Sequence, residues 1–595
     1  MSEALKFTEY KSEIRDGMRI DWDVPITMSD GVVLRADVFR PIEDGQYPVL
    51  LGCNPYGKNM AFYQSVYAPN WETMKKEYPE IFAGTSNVYQ TWELPNPERW
   101  TAQYGYVCVR VDSRGTGRSP GYLDIYSAQE AQDYFECIEW AGTQGWSNGK
   151  VGLLGISYLA TNQWLVADKQ PPHLAAICPF EGCSDFYREM LYHGGIKSMF
   201  VQRWFPRQVV YNQHGIGKNG LTSPMNGELV TGPETLTDEE LAANRRDAPK
   251  YLDEHPMFND PYYEDRKCVY ENVKVPLLSC GNWGGNNLHL RGNVEGYVNA
   301  GSEQKWLELH GLEHFAEFYT DYGEKLQRDF FDHFLAGKDT WKDRPNVMLK
   351  VRKVDGTFEL RGENEWPIAR TQWTKLYLDT KNGNFSETPV QCADKEFRAD
   401  GKGVTFMTEP LKKEVEMIGP MSAKLFISST TTDADIFVTG RIIDPDGKDV
   451  TFIGASDPHT MPATGWLRAS HRKLDLAKTT FYRPWHTHDE YQPLTPGKIY
   501  ELDVEIWPTC MVLPAGYRFA ITISGCDFEL EGDGPWPTAY GLTYRSAGPY
   551  SHIDKVNRPD EIFKDGVTTL FCDAQHPSYI WVPIIPPKDE ENPLL

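Results

Sequence analysis

The stretch Gly149-Lys-Val-Gly-Leu-Leu-Gly-Ile-Ser-Tyr-Leu-Ala160 sets Ser157 two residues after Gly155, at the end of a short apolar run. A serine at a strand-to-helix turn of this kind projects its hydroxyl from the sheet edge, and neighbouring N–H groups face the place where an oxyanion would form. The chemistry on offer is nucleophilic attack on a carbonyl carbon. The bare Gly-x-Ser pattern equally describes a tight turn with an incidental serine, because small residues are common at such turns. A nucleophile also needs a base, and every loop at the carboxyl edge of a parallel sheet opens onto one crevice. Two histidines follow the run Lys305 to Leu309. His310 closes the strand and reads as packed, whereas His314, in Gly311-Leu-Glu-His314, sits in a loop from which an imidazole can swing toward Ser157.

An alternating fold must position these groups. Val33 to Phe39, Pro48 to Cys53, Tyr106 to Val111 and Val151 to Leu154 are apolar runs, as in a sheet covered on both faces. Between them, Ala128, Ala131, Phe135, Ile138 and Trp140 recur at roughly helical spacing behind Ser127, with Glu130 three residues on, which predicts a capped helix over Ser127 to Trp140. Strand, helix and strand in alternation predict a mainly parallel α/β sheet. The texture returns at Val275 to Gly281 and Lys305 to His310, and closes on a helix over Glu324 to Leu335 with Leu326, Phe330, Phe331 and Phe334 on one face. Residues 183–262 interrupt it with few strand-like runs, a Gly/Asn-rich stretch and an acidic one; they read as an insertion covering the upper edge of the sheet. Beyond about Glu365 short alternating runs take over (Lys424 to Ser428, Ile436 to Ile443, Ile499 to Ile506, Arg518 to Ser524), separated by turns such as Asp444-Pro-Asp-Gly447, and predict an all-β sandwich. The expected division is 1–182 and 263–350 for the α/β core, 183–262 for the insertion and 351–595 for the β-sandwich, with the tail Ile584 to Leu595 as a surface strap.

Composition narrows the partners. The 595 residues carry 60 basic and 84 acidic side chains, a formal charge of −24, which repels phosphate backbones and anionic membranes and suits a small neutral or cationic ligand. The opening Met-Ser-Glu-Ala-Leu-Lys lacks a basic region followed by an apolar one, and no run approaches the roughly 18 apolar residues of a membrane span. Eleven scattered cysteines without paired spacing fit reduced thiols. A cytoplasmic protein is expected, with no nucleic-acid or membrane partner; a homo-oligomer is left open.

Further segments carry a resemblance. Ser29-Asp-Gly-Val-Val-Leu-Arg-Ala-Asp-Val-Phe-Arg-Pro41, Asn54-Pro-Tyr-Gly-Lys58, Asp112-Ser-Arg-Gly-Thr-Gly-Arg-Ser119, the Ser157 elbow, Gly465-Trp-Leu-Arg-Ala-Ser-His-Arg472 and Leu513-Pro-Ala-Gly-Tyr-Arg-Phe-Ala-Ile-Thr-Ile-Ser524 occur in that order. Together they make the chain resemble the cocaine-esterase, X-Pro dipeptidyl-peptidase and α-amino-acid ester hydrolase group of serine hydrolases. The resemblance implies an α/β-hydrolase core with an inserted helical cap and a C-terminal jelly-roll β-sandwich. It also implies Ser157 as nucleophile, His314 as general base, and an oxyanion hole made by the backbone N–H of Tyr158 and the phenol of Tyr56. No cofactor and no metal are implied.

The chain departs from that pattern twice. Ala160 stands where the family has glycine, an added methyl that should be tolerated. More seriously, the family places an aspartate shortly after a Gly-Trp, and here the stretch reads Cys280-Gly-Asn-Trp-Gly-Gly-Asn-Asn-Leu-His289, with no acid. Without an orienting carboxylate the base loses its tautomer, a loss of about 10^4 in turnover in a well-studied protease. Three explanations are open. Asn286 or Asn287 orients His314; Glu181, at the end of Leu174-Ala-Ala-Ile-Cys-Pro-Phe-Glu181, supplies the acid from a neighbouring strand end; or the site is degenerate and the protein only binds. Glu181 is the favoured one, and Asp185 is expected to pair with Arg188.

The expected activity is hydrolysis of an ester or amide through an acyl-enzyme on Ser157, with an acyltransferase, an X-Pro dipeptidyl-peptidase and a binding protein as alternatives. Gly115-Thr-Gly-Arg-Ser-Pro-Gly121 departs from a dinucleotide loop in its third glycine and in Pro120. His486-Thr-His488-Asp489-Glu490 reads as a solvated loop, not a metal site. Asp433, Asp435, Asp444, Asp446 and Asp449 read as hairpin turns, not a calcium site.

Overall fold

The computed structural model describes residues 11–391, 394–532, 534–537, 543–545 and 548–587; residues 588–595 of the expected strap lie outside them. The first unit is an eleven-stranded sheet. Its strands are β1 (Lys11–Arg15), β2 (Met18–Thr27), β3 (Val33–Arg40), β4 (Tyr47–Asn54), β5 (Val107–Asp112), β6 (Ser147–Ile156), β7 (Leu174–Phe180), β8 (Leu277–Asn282), β9 (Lys305–His310), β10 (Val347–Arg352) and β11 (Phe358–Glu363). They lie in the order β1-β2-β3-β5-β4-β6-β7-β8-β9-β10-β11. From β5 to β10 every neighbouring pair is parallel, so the carboxyl ends of β4 and of β6 to β9 share one edge. β10 and β11 belong to this sheet, so the α/β unit runs past the expected boundary at 350 to Glu363.

The helices follow local chemistry. α1 (Ala128–Gly142) starts where the Ser127 hydroxyl accepts from the Glu130 N–H at 3.2 Å, as its sequence predicts. α2 (Tyr158–Ala167) is buried along its whole length and lies against β6 and β7, which is why it lacks a polar stripe. α3 (Leu290–Asn299) packs on β8, and α4 (Asp321–Phe334) buries Leu326, Phe330 and Phe331. Residues 183–262 hold short helices and turns and only two-residue strands, Tyr192–His193 and Ile196–Lys197.

From Gln372 on, a twelve-stranded all-β unit forms around the long pair Val415–Ser429 and Tyr500–Leu513. The two units share an apolar core: Leu307, Leu309, Val347 and Leu349 of the first pack with Ile418, Cys510 and Val512 of the second. The loop around Gly454 comes so close to the first sheet that a Cβ on Gly284 would lie 2.4 Å from the Gly454 Cα. No helix among the described residues is long and apolar enough to cross a membrane.

Candidate active site

Ser157 follows β6 directly and precedes α2, with φ +57° and ψ −109°. That conformation costs a non-glycine residue about 1–3 kcal/mol and persists only where the surroundings enforce it. Here the Ser157 N–H is held by the carbonyls of Phe180 and Glu181, each at 3.1 Å, and its own carbonyl receives the Thr161 N–H at 2.8 Å. Gly155 is required because a Cβ there would lie 2.5 Å from the Leu159 Cβ, where α2 folds back over the strand. The methyl of Ala160 is accommodated because residue 182 is glycine; a Cβ on Gly182 would meet the Ala160 Cβ at 2.4 Å. Ser157 is half-buried among buried neighbours, so its hydroxyl is placed and reachable.

A carboxylate meets the imidazoles from the neighbouring strand end. Glu181 follows β7 in a left-handed conformation (φ +49°), with its N–H on the Cys280 carbonyl at 2.7 Å. One carboxylate oxygen lies 2.7 Å from His314 Nδ1; the other lies 3.0 Å from His310 Nε2 and accepts from Asn282 Nδ2 at 3.2 Å. His310 is packed, stacked on Phe180 and bonded through Nδ1 to Glu308 at 2.7 Å. Asn286 and Asn287 face away: Asn286 donates to the Met461 carbonyl at 2.9 Å, and Asn287 accepts from the Thr464 hydroxyl at 3.1 Å. Those contacts leave the two asparagines tied to the all-β unit, so neither orients His314. Asp185 pairs with Arg188 at 2.6 Å.

The contact of the Ser157 hydroxyl is where the structure departs from expectation. Among the described residues the imidazole that reaches the Ser157 hydroxyl is His289, with Nε2 at 3.2 Å from Oγ, not His314. His314 stacks on His289 (centroids 5.1 Å apart, planes 13° apart), and its Nε2 lies 3.0 Å from a second carboxylate, Glu93. His289 and Glu93 were missed. His289 ends the asparagine-rich segment just before α3 and reads as a helix-flanking residue; Glu93, in Thr91-Trp-Glu-Leu94, has no period to mark it, and its left-handed φ of +62° is invisible in the residue type.

Burial sharpens the charges. Glu181 is held at about 2, since the imidazoles, His314 first, outweigh the burial that would raise it. His314 is lifted to about 10: burial alone would lower it, but Glu181 and then Glu93 prevail. Burial pushes Glu93 up to about 7 against the pull of His314. Burial, and behind it the charge of His314, holds His289 well below its usual range, so His289 is neutral and its buried Nδ1 has no partner.

Glu181, His289 and His314 bring donor atoms within 4.8 Å of one another, a His2Glu set that elsewhere binds zinc. Both His314 nitrogens lie on carboxylates and the His289 Nε2 lies on the Ser157 hydroxyl, so in this arrangement those nitrogens are already engaged. The trio does not fit a metal without rotating a ring.

The Tyr56 phenol accepts from Trp204 Nε1 at 3.1 Å, and its ring meets Tyr158 edge-on at 5.9 Å. Its loop is pinned where Asn54 Oδ1 accepts from the Tyr56 N–H (2.8 Å) and Asp112, at the end of β5, accepts from the Lys58 N–H (2.6 Å). The segment Gly115 to Gly121 wraps that carboxylate: a Cβ on Gly117 would lie 2.2 Å from the Asp112 Cγ, which explains its glycine without a nucleotide. Tyr158 donates its hydroxyl to Glu130 at 2.7 Å and stacks on Tyr126.

Residues 30–316 match the family model of the X-Pro dipeptidyl-peptidase (S15 family), and residues 339–581 match the C-terminal non-catalytic domain of the X-Pro dipeptidyl-peptidase. The chain belongs to this family of serine hydrolases. Cocaine esterase from a Rhodococcus strain is 24% identical to it, over 95% of this chain and 98% of that one. An Xaa-Pro dipeptidyl-peptidase from Ligilactobacillus salivarius is 21% identical over 81% of this chain and 66% of that one. The crystal structure of a CocE/NonD family hydrolase from Staphylococcus aureus superposes with a TM-score of 0.80 at 29% identity, covering 97% of both chains. An α-amino-acid ester hydrolase shares the fold at a TM-score of 0.65 and 16% identity, over 98% of this chain and 99% of that one.

His486 and His488 are corrected by the structure. Both are buried and held neutral by that burial, not solvated. Asp435 is likewise no turn residue, since it is buried between Arg468 and Arg558.

Proposed function

We propose that this S15-family chain hydrolyses an ester or amide bond of a small substrate through an acyl-enzyme on Ser157. The observation that carries the reading is the enforced, strained Ser157 with its hydroxyl 3.2 Å from an imidazole at the shared edge of the parallel strands. On this reading the sheet through residue 363 is an α/β-hydrolase core, 183–262 its helical cap, and the C-terminal all-β unit a jelly roll. The Ser157 Oγ attacks the carbonyl carbon. The Tyr158 N–H, first in its helix and so without an intrahelical acceptor, and the Tyr56 phenol receive the oxyanion.

His314, once its Nε2 proton has left and the ring is neutral, takes the serine proton and returns it to the leaving group. Two neighbouring imidazoles compete for that role, and Glu181 decides it. A base that becomes charged needs a carboxylate on its other nitrogen, and His314 has one at 2.7 Å. His289 has none, and would have to charge beside an already charged ring. His289 therefore holds the hydroxyl in the resting site, and the Ser157–His314 bond forms with substrate, as catalytic hydrogen bonds commonly do.

An ester is the preferred substrate, supported by the relative named as an esterase that spans 95% of this chain. Nine cysteines among the described residues, from Cys53 to Cys526, are free, which supports a cytoplasmic setting. The test is covalent labelling with a fluorophosphonate, followed by a screen of p-nitrophenyl and aminoacyl esters. Labelling of the wild type but not of Ser157→Ala supports the reading. No labelling of the wild type turns it toward a binding protein, and products in which an added alcohol or amine outcompetes water turn it toward an acyltransferase.

A further inference from the structure

The Glu93 carboxylate occupies the nitrogen of His314 that the reaction needs. His314 has two ring nitrogens: Nδ1 is taken by Glu181 at 2.7 Å, and Nε2, the one left to accept a proton from Ser157, is taken by Glu93 at 3.0 Å. Glu93 is buried, and its second carboxylate oxygen has no partner. Its backbone is part of the elbow, because its carbonyl accepts from the Ile156 N–H at 3.1 Å, one residue before the nucleophile. Glu93 is thus fixed relative to Ser157, and it competes with Ser157 for a single nitrogen.

We propose that Glu93 is a positioning residue that latches the base. In the resting enzyme it keeps His314 protonated on Nε2 and away from the Ser157 hydroxyl, and it takes that proton into its own carboxyl when substrate occupies the site. The inference rests on the reading of Ser157, His314 and Glu181 given above. The proton balance is complete within the site. The Nε2 proton passes to a Glu93 carboxylate oxygen, which leaves a neutral carboxylic acid and a neutral imidazole whose Nδ1–H stays on Glu181. The Ser157 proton then moves to Nε2 as Oγ bonds the carbonyl carbon, and from Nε2 it goes to the leaving group. A carboxyl already near neutrality is suited to hold that proton, and burial places Glu93 there, at about 7. The groups that face the pair are Glu181 after β7, His310 on β9, His289 before α3, Tyr126 and Tyr319; Glu93→Gln leaves all of them in place.

The experiment compares wild type with Glu93→Gln in two ways. Nitrogen-15 NMR of His314 reads its charge without reference to turnover: at pH 8 the wild type is to show an imidazolium and the variant a neutral ring. The pH profile of kcat/KM reads the latch. Its acid limb is to move down by at least one unit, about tenfold in rate below the limb, with KM changed less than twofold. A merely structural role would lower kcat at every pH and leave both the limb and the His314 charge where they were, and that result overturns the proposal. Should Glu93→Gln not fold, Glu93→Asp, which withdraws the carboxylate by one methylene, is to shift the limb the same way by less; an unmoved limb in that folded variant also overturns it. If Ser157→Ala labels as the wild type does, the serine reading fails instead, and the NMR result still reports on the Glu93–His314 pair.

Discussion

At the scale of single residues, the site is a chain of proton-bearing groups: Ser157 on His289, His289 stacked on His314, His314 between Glu181 and Glu93. Glu181→Gln removes the orienting charge while keeping the shape, and is to lower kcat by two or more orders of magnitude with the circular dichroism spectrum unchanged. His314→Asn is to cost about 10^3 in kcat and His289→Asn far less; the reverse order in steady-state kinetics would assign the base to His289. The same charges shape stability. Glu181 sits at about 2 against an ordinary 4.5, so its contribution is whole above 4.5 and is lost as pH falls toward 2. His314 sits at about 10 against 6.5, so its contribution is whole below 6.5 and is lost as pH rises through 10. Glu93, raised to about 7 against an ordinary 4.5, loses stability as pH rises between those values, so the thermal midpoint is expected to peak near pH 5 and to fall on both sides, with shallower slopes in Glu181→Gln. Residue types disclosed Ser157 and both partners of the Glu181–His314 pair. They did not disclose that Glu93 and His289 join them, because a buried glutamate after a tryptophan has no sequence mark.

At the scale of elements, the elbow is a packing solution around glycines. Gly155 clears the return of α2, and Gly182 clears the methyl of Ala160. Gly182→Ala forces its Cβ against both the Ala160 Cβ at 2.4 Å and the Thr161 nitrogen at 2.8 Å, and is to cost about 1–3 kcal/mol in denaturant unfolding. Adding Ala160→Gly is to restore part of that loss, because the side-chain clash goes and the backbone one stays; strict additivity in the double-mutant cycle would refute the packing account. The strand from Lys305 to His310 and the helix capped by Ser127 stand where periodicity and capping chemistry put them. The boundary at 350 was misplaced for a physical reason: β11 runs antiparallel on β10 at the sheet edge and half exposes its residues, so it reads like the first strand of the sandwich that follows.

At the scale of the whole molecule, the all-β unit is part of the site's scaffold. Ala455 receives the His314 N–H at 3.1 Å and donates its own to the Gly284 carbonyl at 3.1 Å, so one loop of the second unit is bonded to two loops at the carboxyl edge of the first sheet. Gly284→Val, which drives a side chain into the Gly454 backbone, is to reduce kcat by at least about tenfold while shifting the thermal midpoint by only a few degrees; unchanged turnover would show that the loop does not hold His314. The sequence by itself determined the local matters: an alternating α/β unit, an insertion, an all-β unit, a serine at a strand-to-helix turn and a carboxylate at the next strand end. These follow from periodicity, capping and turn chemistry, which act over a few residues. The tertiary structure alone decided which nitrogen faces which oxygen, since His289, His314, Glu93 and Glu181 come from four separate loops. Their contacts depend on how the sheet edge, the insertion and the second unit close over one another, and burial there, not residue type, sets which ring is charged.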